Sequence, residues 1–98
     1  MFQQGDVIIE KVDNVPNGFN QKSDNHLAEG EATGHYHEAL GGGVAVMENE
    51  KEMFLSAPSG CSVVHQEHGE ITIPAGEYRV RRVQEYNHFT EEAHEVRD

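Results

Sequence analysis

Cys61-Ser-Val-Val-His-Gln-Glu-His-Gly-Glu-Ile-Thr-Ile-Pro-Ala-Gly-Glu-Tyr-Arg-Val80 holds three short apolar runs separated by turn residues. Cys61 to Gln66 and Ile71 to Ile73 are rich in valine and isoleucine, the residues that fit a pleated surface. Pro74-Ala-Gly76 is a turn signal, and a third run starts at Glu77. Runs this short, each closed by glycine or proline, read as strands of an all-β sandwich or barrel.

The same rhythm continues outward. Val44-Ala-Val-Met47 and Met53-Phe-Leu55 form a hairpin around Glu48-Asn-Glu-Lys51, between turns at Gly41-Gly-Gly43 and Pro58-Ser-Gly60. Leu27 to His37 reads as one strand interrupted by Gly30 and Gly34, and Asp6 to Val12 as the first strand. Asp13 to Asn25 holds four asparagines, Pro16 and Gly18, a loop by composition. Glu77 to Tyr86 is the longest strand, with Tyr78 and Val80 on one face and Arg79 and Arg81 on the other. The apolar phase slips at Val83, which predicts a β-bulge at Arg81-Arg82. These arginines pair with glutamates, an anion clamp being the alternative. Beyond Asn87, Thr90 with Glu91, Glu92 and Glu95 starts a short C-terminal helix turn, or residues 87–98 form an acidic tail. Residues 1–98 make a single β domain.

Composition narrows the partners. A hydrophobic share of 36% and a mean hydropathy of -0.70 leave a thin core, which a bound metal or self-association would staple. The formal net charge of -11 repels phosphate backbones and anionic lipid, so neither nucleic acid nor membrane is expected as a partner. Cys61 is the one cysteine. No internal disulfide can form, a reducing cytoplasm is expected, and Cys61 reads as a small buried apolar group. Met1 to Asp6 has no basic region followed by an apolar run, and no stretch approaches the roughly 20 apolar residues of a membrane span.

Four of the seven histidines fall in two windows: His35 and His37 in Gly30 to Glu38, His65 and His68 in Val63 to Gly69. Residues two apart on a strand share a face and start roughly 6.5–7 Å apart, close enough for two imidazoles to converge on one ion at about 2.0–2.1 Å. His65 shares a face with Cys61 and Val63. His68 falls on the opposite face of an ideal strand and joins only if the chain bends near Glu67, which Gly69 permits. His35, His37, His65 and His68 are thus candidate ligands of one divalent metal ion, of the kinds imidazole suits: Zn, Ni, Fe, Mn or Cu. Glu67 and Glu38 are carboxylates in support, and Glu31 is also near in sequence; one of them could serve as a base. The competing reading leaves these histidines on the solvated face of strands. His26, His88 and His94 read as solvated.

His35-Tyr-His37 followed by Pro74-Ala-Gly76 resembles the cupin pattern, an early His-x-His and a later Pro-x-Gly strand. The resemblance implies a cupin-like small barrel with His35 and His37 at a metal. The last cupin histidine would fall at Arg79, and His65 and His68 have no cupin counterpart. Over nearly the whole chain, Gln4-Gly-Asp-Val-Ile8, Ala28-Glu-Gly-Glu-Ala-Thr-Gly-His35, His65-Gln-Glu-His-Gly69, Ile73-Pro-Ala-Gly-Glu-Tyr-Arg-Val80 and Gln84-Glu-Tyr86 resemble a family of small bacterial and phage proteins of uncharacterised function.

The expected function is divalent-metal binding by a small β-barrel, with no reaction assigned and a small-molecule ligand only if a coordination position stays open. The alternative is a non-catalytic homo-oligomeric module, a bacterial or phage accessory protein whose partner is itself, motivated by the thin core and exposed strand edges.

Overall fold

The computed structural model describes residues 1–29 and 34–83. The described residues form ten strands: β1 (Phe2–Gln4), β2 (Val7–Val12), β3 (Asn20–Gln21), β4 (His26–Glu29), β5 (Tyr36–Leu40), β6 (Ala45–Glu48), β7 (Met53–Ala57), β8 (Cys61–Val64), β9 (Ile71–Ile73) and β10 (Gly76–Arg82). They divide into a six-stranded sheet, β1-β2-β10-β7-β6-β3, and a four-stranded sheet, β4-β5-β8-β9. Every pairing is antiparallel. The fold is all-β, as expected; among the described residues both sheets keep open edges, so they form a sandwich and not a closed, cupin-like barrel.

Alternation makes the core. Val7, Ile9, Val46, Leu55, Ala57, Tyr78 and Val80 point inward from the larger sheet, and Leu27, Ala39, Cys61, Val63 and Ile73 meet them from the smaller one. Burying one face of each sheet against the other is what lets two short-stranded sheets persist. β10 is central, between β2 and β7. Its Tyr78 ring is fully buried, and the phenolic hydroxyl donates to Pro74 O at 2.6 Å, which satisfies the one polar atom the ring carries inward.

The β6–β7 hairpin lies where the sequence puts it. Asn49 Oδ1 accepts from the Lys51 and Glu52 amides, both at 2.7 Å, which is the turn chemistry asparagine favours. Other boundaries differ. Leu27 to His37 is not one strand: β4 stops at Glu29 and β5 starts at Tyr36, with Gly34 at φ 83°. The β8 strand ends at Val64, two residues short of Gln66. β1 and β3 were not expected; both are too short for a periodic signal, and β3 lies in the asparagine-rich segment.

The bulge expected at Arg81-Arg82 is absent. β10 pairs with β2 without a break from Glu77↔Val12 to Arg82↔Val7. Val83 has already left the strand and donates its amide to Asp6 O at 2.9 Å, so its apolar side chain marks the strand end and no phase slip. The register irregularity lies instead between His26 and Ala28. The arginines pair as the acidic composition suggests: Arg79 with Glu52 at 3.3 Å, Arg81 with Glu10 at 3.1 Å and Arg82 with Asp6 at 2.7 Å. The helix turn at Thr90, the tail 87–98, Glu31, His88 and His94 lie outside the described residues. No helix among the described residues is long and apolar enough to cross a membrane.

Candidate functional site

Three chain segments meet at one end of the sandwich: the β1–β2 turn at Gly5-Asp6, the start of β5, and the turn after β8. Together they gather the four candidate histidines. His37, on β5, is buried; His35 precedes that strand and His65 follows Val64, each half-buried. The chain then bends through Gln66, Glu67 and His68. This is the bend His68 needed, and it turns the exposed His68 ring back over the cluster. Ring centres stand 4.3 Å apart for His37 and His65, 4.6 Å for His65 and His68, 5.8 Å for His35 and His65, and 5.9 Å for His37 and His68.

Local structure explains the arrangement. Gly5 adopts φ 59°, the left-handed region that glycine enters freely. A Cβ there would stand 2.7 Å from His68 Nε2, so the bare backbone of this turn is also the floor beneath the His68 ring. Gln66 Oε1 accepts from the Tyr36 amide at 2.8 Å and ties the turn to the head of β5. His65 Nδ1 accepts from the Glu67 amide at 2.9 Å and closes the bend.

Two carboxylates border the rings. Glu67 Oε2 lies 3.6 Å from His35 Nε2, and Asp6 Oδ1 lies 3.7 Å from His37 Nε2. Both separations are too long for a hydrogen bond. The other oxygen of Asp6 accepts from Arg82 Nε and Nη2 at 3.1 and 2.7 Å. Glu38 follows His37 on β5, so alternation turns it to the other face, where it sits opposite His26 and Val64 in register. Beneath the cluster, Gln4 Nε2 donates to Val63 O and Gly69 O, both at 2.8 Å, and its Oε1 lies 2.8 Å from His37 Nδ1.

The rings suppress one another's charge. Burial, then the neighbouring His65, push His37 down to about 4, with Asp6 opposing. Burial, then His68 and His35, also lower His65. A buried or crowded imidazole resists protonation because the cation loses hydration and meets its neighbours' positive charge. Both rings are therefore neutral at pH 7, the form that binds metal.

A second group lies elsewhere. Asp24, His26 and Glu29 are the one set among the described residues with three potential ligand atoms all within 4.8 Å of one another. Its contacts are those of a turn. Asp24 Oδ1 accepts from the His26 amide at 3.1 Å, and His26 Nδ1 lies 2.8 Å from Glu29 Oε2. The His26 amide beside Asp24, with help from Lys22, holds its carboxyl below the usual range, and Lys22 Nζ stands 3.5 Å from Asp24 Oδ1. The His26 ring is stacked on Tyr36 at 4.1 Å. An ammonium already pairs with the Asp24 carboxylate here.

Sequence reading missed Gln4 and Asp6. The one available signal was Gly5, whose left-handed turn brings both to the histidines. Cys61 is buried as expected and its thiol is pushed up by burial, which keeps it in the inert protonated form.

No curated protein and no solved structure matches the chain. One family does match, from residue 3 to residue 83, a span that takes in Gln4, Asp6 and all four histidines. The chain belongs to the family described as a domain of unknown function (DUF8820).

Proposed function

We propose that this protein binds one divalent metal ion at the end of the sandwich, with His35, His37, His65 and His68 as ligands and the Glu67 and Asp6 carboxylates in support. The observation that carries the reading is the convergence of four imidazoles from two distant windows, with ring centres 4.3 to 5.9 Å apart. Imidazoles bound to one tetrahedral ion at ordinary bond lengths have ring centres roughly 5 Å apart. The His37 and His68 rings are nearly parallel, at 13°, so coordination asks them to rotate more than to travel. With four imidazoles filling a tetrahedral shell, the Glu67 and Asp6 carboxylates, 3.6 and 3.7 Å from ring nitrogens, would offset the ion's charge from beside it. An all-nitrogen set bordered by carboxylates favours Zn, Ni, Cu, Fe or Mn over Ca or Mg.

Metal analysis of tag-free protein, followed by titration with zinc, nickel and copper, tests this directly. The expected result is one ion per chain, lost in a His37→Ala/His65→Ala variant that keeps its amide spectrum. Wild-type protein that takes up none of these ions, and melts at the same temperature with metal or chelator, would sink the reading.

A further inference from the structure

Gln4 and His37 are the two buried polar residues among those described, at 3% and 4% exposure, and they contact each other. The Gln4 amide is committed at both ends. Its Nε2 lies 2.8 Å from Val63 O and 2.8 Å from Gly69 O. Backbone carbonyls only accept, so both protons of the NH2 group are used there and the amide cannot be reversed. Its Oε1 therefore faces His37 Nδ1 at 2.8 Å. An amide oxygen also only accepts, so the proton of the neutral imidazole sits on Nδ1 and the lone pair on Nε2. That nitrogen points toward Asp6 Oδ1, 3.7 Å away, with no proton between them.

We infer that Gln4 is a positioning residue: it fixes His37 as the Nδ1–H tautomer and presents Nε2 to the cluster as the metal-ligating atom. For the neutral ring the tautomer follows from the hydrogen bonds, and only the ligating role rests on the metal reading. Gln4 belongs to β1 of the larger sheet, whereas Val63 and His37 belong to the smaller one. One side chain thus links sheet packing to ring orientation. A metal-bound histidine typically donates its second nitrogen to a fixed acceptor, and losing that acceptor costs about 10–100-fold in affinity. His65 is held the opposite way, since its Nδ1 accepts from the Glu67 amide; unlike His65, His37 can ligate through Nε2 without changing its hydrogen bonds.

The test is a nitrogen-resolved imidazole NMR spectrum of the metal-free wild-type chain and of Gln4→Met, followed by zinc titration of both against a competing chelator. In wild type, His37 is expected to carry its proton on Nδ1 and none on Nε2. In Gln4→Met the two tautomers mix, and zinc binds about 10–100-fold more weakly. A wild-type His37 protonated on Nε2 overturns the inference, as does a folded Gln4→Met chain with unchanged tautomer and affinity. If Gln4→Met does not fold, the wild-type tautomer decides alone. A wild-type chain with the Nδ1–H tautomer that takes up no zinc upholds the role of Gln4 and overturns the metal reading, so the two failures are told apart.

Discussion

At the scale of single residues, His37 couples protonation to folding. Its folded value of about 4 lies below the ordinary 6.5, so the unfolded chain binds the proton more readily between those two values. The stability that neutral His37 contributes is complete above pH 6.5 and is lost as pH falls toward 4. At about 1.4 kcal/mol per unit, the loss for so buried a ring is on the order of 3 kcal/mol. Denaturant unfolding of chelator-treated protein across this range should show the decline, and His37→Gln should remove that component of it. Gly5 gives a second prediction. Alanine there meets the left-handed φ of 59°, costing about 1–2 kcal/mol, and its Cβ would push the His68 ring from its seat 2.7 Å away. Because that ring is the free end of a side chain, Gly5→Ala should fold, melt lower and bind zinc more weakly; unchanged zinc affinity would remove His68 from the ligand set.

Among the elements, the turn after β8 carries the most consequence. A histidine bound to metal through Nε2 carries its proton on Nδ1 and can no longer accept there. His65 therefore joins the ion only by giving up the Glu67 amide, now 2.9 Å from its Nδ1. Zinc should shift the Glu67 amide resonance more than those of β10, and the amide should exchange faster unless the bound ion orders the turn through another acceptor. A Glu67 resonance indifferent to zinc would assign His65 a role outside the coordination sphere. Strand alternation foretold that His35 and His37 share a side; the same rule excludes Glu38, expected as a supporting carboxylate, which the structure turns to the opposite face beside His26 and Val64. It could not foretell His68, since β8 ends at Val64 and beyond a strand end the period of two no longer applies.

Across the whole molecule, the proposed ion would sit at one end of the sandwich, held by the β5 and β8 segments of the smaller sheet with Asp6 of the larger sheet beside it. A ligand that binds only the folded state adds about 2.7 kcal/mol at a hundredfold excess over its Kd, equivalent to roughly 10–20 °C in Tm for a domain of this size. Calorimetry with and without zinc should show a rise of that order in wild type and little in His37→Ala/His65→Ala. The amino-acid sequence determined the strand-forming runs, the hairpin at Glu48 to Lys51, the burial of Cys61 and the four histidines. Each of these depends on neighbours in sequence, where backbone propensity and alternation act. Tertiary structure alone decided that the two sheets stay open, that β10 pairs with β2 without a bulge, and that Gln4 and Asp6 stand beside His37. Those facts depend on which strands lie next to each other. Gln4 and His37 are 33 residues apart, and only the packing of one sheet on the other brings their hydrogen-bonding atoms together.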